Sequence, residues 1–216
     1  MARPLPTLRQ LLLVAHHAVV NGMELFDDAS LLLQHGRWSR AHALAVLALE
    51  EFGKACLSLG ALVYTDDQAE GFWKDWVHHP TKLLNAGAIL TFFGQDQPSV
   101  TATVVAQLQT EARQEHVQKL RGFYVDLSTS GVIERPDDID EDAARRVVDR
   151  VGTLLELLGP AWTSGALLDR LDEIEAQGDE LRAVFGQARQ LVQLDADAAI
   201  AIGRAGMRGD LPGIDG

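Results

Sequence analysis

The first part of the chain carries apolar residues that repeat every three or four positions. They are Leu8, Leu12, Ala15, Val19, Met23, Phe26 and Leu33. This period places their side chains along one side of an α-helix. Thr7 precedes the stripe, where a helix N-cap is expected, and Gly36 follows it, where a helix usually ends. The pattern therefore predicts a first helix between these two residues.

The same helical period continues along most of the remaining sequence. It predicts helices over about 39–63, from Thr65 through Trp76, over 80–93, over 98–120, from Ile139 to Leu158, and over 166–176 and 179–204, with Gly178 between the last two. Pro80 and Pro98 suit the first turn of a helix, because proline lacks the amide hydrogen that the first turn does not use. The chain is thus predicted to be all-α.

One segment departs from the helical period. Residues 121–136 alternate between apolar and polar positions at Phe123, Val125 and Leu127, and they are rich in Ser, Thr, Gly and Pro. Such a composition predicts a loop or a short hairpin. We therefore expect a helical core over residues 1–136 and additional C-terminal helices over residues 137–216, packed on the same domain.

The composition is that of an ordinary soluble protein. The chain has 216 residues, 47% of them hydrophobic and 23% charged, which suits one well-filled core. No apolar run reaches the roughly 18–20 residues that span a bilayer, and the N-terminus lacks the features of a signal peptide. The single cysteine, Cys56, excludes an internal disulfide and a multi-cysteine zinc site. We expect a cytoplasmic protein without membrane contact.

The net charge of −12 is unevenly distributed. Residues 1–126 carry 10 basic and 13 acidic side chains, whereas residues 127–216 carry 9 and 18. The acidic C-terminal part would repel a phosphate backbone, so nucleic-acid binding over the whole surface is excluded. An RNA contact would have to be local and would lie in the N-terminal part.

A group of charged residues interrupts the most apolar predicted helix. Glu50, Glu51 and Lys54 lie in the middle of residues 39–63, and either glutamate is spaced to reach the lysine along the helix surface. Gly53, in the same turn, costs about 1 kcal/mol relative to Ala unless a backbone or a ligand must come close. The spacing fits two structures, an exposed stripe of ion pairs or a polar pocket set into the bundle, and leaves both open.

Four segments in order resemble the AbiV family of HEPN proteins. The segment "ALAVLALEEFGKA" resembles the signature helix of that family, and "VNGMELFDDASLLLQHGRWSRA" its first helix and turn. The segments "FWKDWVHHPTKL" and "LRGFYVDLSTSGVIERP" resemble two further elements. The positions that match polar family positions outside the signature helix are Asn21, Asp28, His79, Lys82, Arg121, Tyr124 and Asp126. Together the segments cover about residues 10–136.

The resemblance implies an HEPN-like helical bundle, usually a homodimer, that acts in phage defence by abortive infection. Many HEPN relatives are metal-independent ribonucleases, so it implies neither a metal nor a cofactor. Such relatives commonly use an Arg and a His separated by four to six residues. Arg37 and His42 have this spacing, but Trp38 stands where a polar residue is usual, and a chain with 7 histidines produces such pairs by chance.

The residues that match the family elements are the better candidates for catalysis. We expect His79 to act as a general base, with Lys82 and Arg121 holding phosphate. Glu50, Glu51 and Lys54 would form the supporting polar network. Three of the family-matching residues also have a purely structural explanation. His79 could serve merely as a helix cap, and Arg121 could serve merely as an ion-pair partner of Asp126. Tyr124 is expected in the core.

Two functions of different class follow from these residues. The first is a defence effector that acts on RNA or translation, as a metal-independent endoribonuclease. The second is a non-catalytic helical protein that binds a phage protein, a small ligand or a regulatory partner. A di-iron bundle is excluded, because it needs Glu-x-x-His motifs and the sequence has none.

Overall fold

The computed structural model describes residues 3–61, 64, 68–93, 102–127, 130–163 and 166–178. Its helices are α1 (Leu8–Gln34), α2 (Trp38–Gly60), α3 (Ala69–Val77), α4 (His79–Phe93), α5 (Ala102–Phe123), α6 (Glu141–Thr163), α7 (Ala166–Asp169) and α8 (Leu171–Ala176). Two short antiparallel strands, β1 (Asp126–Leu127) and β2 (Ile133–Glu134), follow α5. The prediction of an all-α bundle with a small hairpin is confirmed. The helix predicted over 179–204 lies outside the described residues.

The ends of α1 lie where the sequence predicts them. The hydroxyl of Thr7 accepts a hydrogen bond from the backbone nitrogen of Gln10 at 3.2 Å, and the Gln10 side chain accepts one from the Thr7 nitrogen at 2.9 Å. This reciprocal pair satisfies two amide groups that the first turn of a helix leaves without partners. Gly36, with a φ of +68°, terminates the helix in a conformation that glycine adopts without strain.

Helix α2 occupies the centre of the bundle and packs against α1, α4, α5 and α6. Small residues on α2 let these neighbours approach closely. Fully buried alanines on this helix are Ala41, Ala43, Ala45 and Ala48. Val46, Leu49 and Phe52 fill the space between them with fully buried apolar side chains. Because other helices surround most of α2, a charged residue that is buried on this helix needs a partner inside the protein.

Helix α6 belongs to the same core. Val147, Val148, Val151 and Leu154 pack in one apolar cluster with α1, α2 and α4. A smaller cluster joins the start of α1 to α3 and α8 through residues such as Leu12, Phe72 and Leu171. None of the helices in the described part of the chain is long and apolar enough to cross a membrane. The placement of residues 179–216 on this domain stays a prediction.

At Gly53 the backbones of α2 and α4 approach each other closely. A Cβ atom added to this residue would overlap the backbone carbonyl of Lys82. Glycine at this position therefore explains why the sequence accepts the helix-propensity cost noted above. It brings the first turns of α4, and with them His79, against the charged residues of α2.

We expect Gly53→Ala to lower the free energy of unfolding by about 1–3 kcal/mol, because backbone rather than a flexible side chain must move. Gly60→Ala is the matched control, since nothing lies within 4 Å of a Cβ added there. Urea unfolding followed by circular dichroism measures both. Equal stabilities of the two variants would contradict the close approach.

Candidate functional site around the buried Glu50

Three helices bring charged side chains together at Glu50 of α2. Its side chain is buried, with a relative exposure of 4%. Lys119 of α5 donates a hydrogen bond to Glu50 Oε1 at 2.6 Å, and His79 Nδ1 of α4 lies 2.8 Å from Glu50 Oε2. His116 Nδ1, also on α5, lies 3.8 Å from Oε1. We call Glu50, His79, His116 and Lys119 the Glu50 cluster.

The ion pair between Glu50 and Lys119 lies almost wholly out of water. The side chains of both residues have a relative exposure of 5%. Removing two charges from water costs several kcal/mol per ion, roughly, and only close pairing with further hydrogen bonds offsets this. Glu50 meets that condition, because each of its two oxygens has a partner. The carboxylate is therefore held in one place.

His79 connects this buried carboxylate to solvent. It is the first residue of α4, and its side chain is 48% exposed. Because Nδ1 faces Glu50, the hydrogen bond favours the tautomer with the proton on Nδ1 and leaves Nε2 as an acceptor. The imidazole of His116 stacks on that of His79, with ring centroids 5.2 Å apart. His79 is therefore hydrogen-bonded to the carboxylate, and His116 lies beside it without a hydrogen bond.

The electrostatic environment of His116 disfavours protonation of its imidazole. Burial lowers the pKa of His116 below its usual 6.5, and the charge of Lys119 lowers it further, while Glu50 acts in the opposite direction. The nitrogen Nδ1 is buried and has no hydrogen-bond partner.

A second charged pair flanks the cluster on α2. Lys54 donates to both carboxylate oxygens of Glu51, to Oε2 at 2.6 Å, and both side chains are partly buried. Lys82 of α4 is buried nearby, and burial followed by repulsion from Lys54 lowers its pKa, against the attraction of Glu50 and Glu51. Perturbed lysines of this kind concentrate at functional sites. Glu50 is thus a buried member of a polar network, whereas Glu51 and Lys54 form a partly exposed ion pair.

Lys119 was missed by the sequence analysis, although a signal for it exists. The inward-facing positions of α5 are Leu108, Ala112, Glu115, Lys119 and Gly122, which repeat at intervals of four and three. Two charged residues on the apolar stripe of a helix must have buried partners. Lys119 pairs with Glu50 and Glu115 with Arg150.

Arg121 and Tyr124 do not join the Glu50 cluster. Arg121 is exposed and follows Lys119 by two residues, which places it about 200° further round α5. Tyr124 is 63% exposed, so the expectation that it packs in the core is wrong. The reason is that α5 ends at Phe123 and the chain turns outward into the hairpin.

The other predicted residues lie apart from Glu50. Asn21 and Asp28 are exposed on α1, and Asp126 pairs with Glu134 in the hairpin register. Arg37 is exposed in the turn before α2, whereas His42 is 1% exposed inside the bundle. These last two residues line different cavities, so their spacing in sequence does not bring them together.

Three residues of the site could in principle hold a metal ion. Glu50, His79 and His116 each offer a ligand atom, all within 4.8 Å of one another. Two imidazoles and a carboxylate are a common ligand set for zinc. However, Lys119 already donates to Glu50 and Lys82 adds a second ammonium nearby, so a divalent cation would be repelled. The residues fit proton transfer better than metal binding.

The one cysteine, Cys56, is partly buried on α2. Burial raises the pKa of Cys56 to about 12, so its thiolate is negligible at neutral pH.

The fold and the site define a small all-α bundle with a charged centre. The AbiV family of HEPN proteins matches residues 10–156, more than half of the chain. The protein therefore belongs to the AbiV family, a family of abortive-infection type. The match reaches into α6 and includes every residue of the Glu50 cluster. Comparison with curated proteins and with solved structures gave no match.

His42, which is buried, and His116, which is partly buried, predict how stability depends on pH. Burial lowers the folded-state pKa of His42 and of His116 below the unfolded value of 6.5. At His42 the charge of Arg146 lowers the pKa further. The unfolded chain then binds protons that the folded chain does not, so stability is complete above pH 6.5 and falls as the pH drops below it. We expect the urea midpoint to decrease from pH 7.5 to 5.0.

The matched variants assign this pH dependence to particular side chains. His42→Gln and His116→Gln should each reduce the slope between pH 7.5 and 5.0, whereas the exposed His17→Gln should not. A slope that neither buried variant alters would contradict the assignment.

Proposed function

We propose that the protein is an abortive-infection effector that cleaves RNA without a metal ion, with His79 as the general base. The observation that carries the proposal is the contact of 2.8 Å between His79 Nδ1 and the buried Glu50, on a side chain that is 48% exposed. A histidine oriented by a buried carboxylate and open to solvent on its other side is arranged for proton abstraction.

The proposed reaction uses the ribose hydroxyl of the substrate. Nε2 of His79 takes the proton from the 2′-hydroxyl, and the 2′-oxygen attacks the adjacent phosphorus. The bond from phosphorus to the 5′-oxygen breaks, and that oxygen takes up a proton from water, while His79 later releases its proton to solvent. The products are a 2′,3′-cyclic phosphate and a 5′-hydroxyl. Glu50 stabilises the imidazolium that forms, and Lys82 supplies positive charge near the developing phosphorane.

The remaining predicted residues take supporting parts in this proposal. Glu51 attracts the ammonium of Lys82 and Lys54 repels it, so this ion pair sets the electrostatic environment of Lys82. The exposed position of Arg121 supports a contact with the RNA backbone outside the Glu50 cluster rather than at the reacting phosphate.

The nature of the product ends tests this reaction directly. Purified protein is incubated with a defined RNA in the presence of EDTA, and the fragments are analysed by mass spectrometry. We expect cyclic phosphate and 5′-hydroxyl ends. The protein used is one whose expression arrests growth. If it leaves the RNA intact, or if EDTA abolishes cleavage, the proposal is overturned.

A binding function without catalysis is the second candidate, and one observation favours it. Exposed apolar side chains gather at the end of α5 and in the hairpin: Val117, Leu120, Phe123, Tyr124, Val125, Val132 and Ile133, each at least 40% exposed. Such a patch is typical of protein–protein contact. If this function is the main one, growth arrest will survive His79→Ala and will be lost on substitution within the patch.

We further propose that this patch joins two copies of the chain. A symmetric dimer would cover the same apolar residues on both copies. Val125→Asp, at a residue that is 68% exposed, should convert the dimer to a monomer in analytical ultracentrifugation. Leu31→Asp, on α1 and 54% exposed, should not. A monomeric wild-type protein at micromolar concentration would contradict the dimer.

A further inference from the structure

Residues 3–6, with the sequence Arg-Pro-Leu-Pro, lie against two tryptophans of α3, Trp73 and Trp76. Trp73 Nε1 donates a hydrogen bond to the carbonyl oxygen of Pro4 at 3.0 Å. The guanidinium carbon of Arg3 lies 3.2 Å from the centroid of the Trp73 ring. Proline-rich segments dock on aromatic side chains in this manner, because they lose little conformational freedom when they bind. We call residues 3–6 the N-terminal strap.

The strap adds to the contacts that hold α3 in place. This helix has 9 residues, of which Ala69 and Phe72 are buried, and Val77 at its end is 69% exposed. A helix this short is not stable on its own, so its position depends on side-chain contacts. Phe72 packs against the rings of Trp73 and Trp76, with ring centroids 4.9 and 5.4 Å apart. The strap covers the same two tryptophans and thereby fastens α3 to the start of α1.

Helix α3 leads directly into the Glu50 cluster. One residue, His78, separates its end from His79. Pro80 follows, and a proline disfavours the helical conformation in the residue before it. The position of His79 at the start of α4 therefore depends on the segments on both sides of it. On one side Lys82 is held where its backbone meets Gly53, and on the other side lies α3.

We propose that the N-terminal strap positions His79 by fixing α3, so that the imidazole stays in contact with Glu50. The inference rests on the proposed reaction, in which His79 is the general base. A misplacement of about 1 Å can lower the rate of an enzyme by roughly 100-fold. His79 is half exposed and lies 2.8 Å from Glu50, so a movement of α3 would lengthen this contact. Trp73 is thus a positioning residue and not a catalytic one.

Two variants loosen the strap from opposite sides. Pro4→Gly with Pro6→Gly makes the strap flexible without altering α3, and Trp73→Phe removes the indole donor but keeps an aromatic ring. We expect each to lower the single-turnover rate at saturating RNA about tenfold, and to keep the RNA concentration for the half-maximal rate within about twofold. Trp38→Phe is the matched control, since Trp38 is 39% exposed at the start of α2, and it should keep the wild-type rate.

The tautomer of His79 gives a second readout that does not require RNA cleavage. In long-range ¹H–¹⁵N spectra of histidine-labelled protein, both strap variants should shift the His79 signals towards those of an averaged tautomer. The signals of the exposed His35 should stay unchanged. Circular dichroism checks that the variants are folded, and the glycine variant, which changes no residue of α3, carries the test if Trp73→Phe unfolds.

The two readouts distinguish this inference from the proposed reaction. If the wild-type protein does not cleave RNA, a shift of the His79 signals in the strap variants still supports the positioning, and only the proposed reaction fails. Unchanged His79 signals in the strap variants would overturn the inference, whether or not cleavage slows. An equal loss of rate in Trp38→Phe would also overturn it.

Discussion

His79→Ala is expected to lower the rate of RNA cleavage by about 10²–10⁴-fold and to abolish growth arrest. The substitution removes the one imidazole that both contacts Glu50 at 2.8 Å and reaches solvent. Its effect on folding should be small, because the side chain is half exposed and lies at the first residue of α4. Cleavage is measured under single-turnover conditions with a labelled RNA.

The neighbouring histidine provides a control in the same segment. His78 is exposed, and its Nδ1 lies 2.8 Å from the hydroxyl of Thr81, which is a contact at the start of a helix rather than with Glu50. We expect His78→Ala to retain the wild-type cleavage rate within about twofold. Equal loss in the two variants would show that the segment matters only for folding, and full activity of His79→Ala would exclude it as the base.

Glu50→Ala is expected to lower the free energy of unfolding by about 3–5 kcal/mol. Most of this loss comes from the ammonium of Lys119, which would remain buried, at 5% exposure, without its partner. The lost attraction between the two charges contributes less. Glu51→Ala should cost only about 1 kcal/mol or less, because its partner Lys54 is partly exposed and can be solvated. Urea unfolding at pH 7.5 compares the two variants.

A double-mutant cycle isolates the buried pair. Glu50→Leu with Lys119→Met removes both charges and should recover most of the stability lost in either single variant, while cleavage stays abolished. Additive losses would contradict a direct pair. A double variant that regains stability but stays inactive would also distinguish the contribution of Glu50 to folding from its effect on His79.

The fold followed largely from local signals in the sequence. Thr7 and Gly36 marked the ends of α1 because capping and left-handed glycine are properties of a few neighbouring residues. The alternation after Arg121 likewise indicated the hairpin of β1 and β2. The start of the third helix was predicted less accurately. It was expected at Thr65, and α3 begins at Ala69. Residues that favour a turn, such as Thr and Asp, locate a helix start only to within a few positions.

The site required information that is not local. Glu50 and His79 are 29 residues apart and Glu50 and Lys119 are 69 apart, so their meeting depends on how three helices rotate against one another. The family resemblance correctly pointed to His79 and Lys82 as neighbours of Glu50. On α5 it pointed to Arg121, whereas the inward-facing residue is Lys119, two positions earlier. On a helix two residues are about 200°, enough to exchange interior for surface.

The tautomer of His79 is the most direct test of the claim that Glu50 orients a catalytic base. Long-range ¹H–¹⁵N spectra of histidine-labelled protein at pH 7.5 distinguish a protonated Nδ1 from a protonated Nε2. We predict that His79 carries its proton on Nδ1 in the wild-type protein, and that it loses this preference in the double variant Glu50→Leu, Lys119→Met. A wild-type His79 with its proton on Nε2, or with the same averaged signal as His78, would contradict the account.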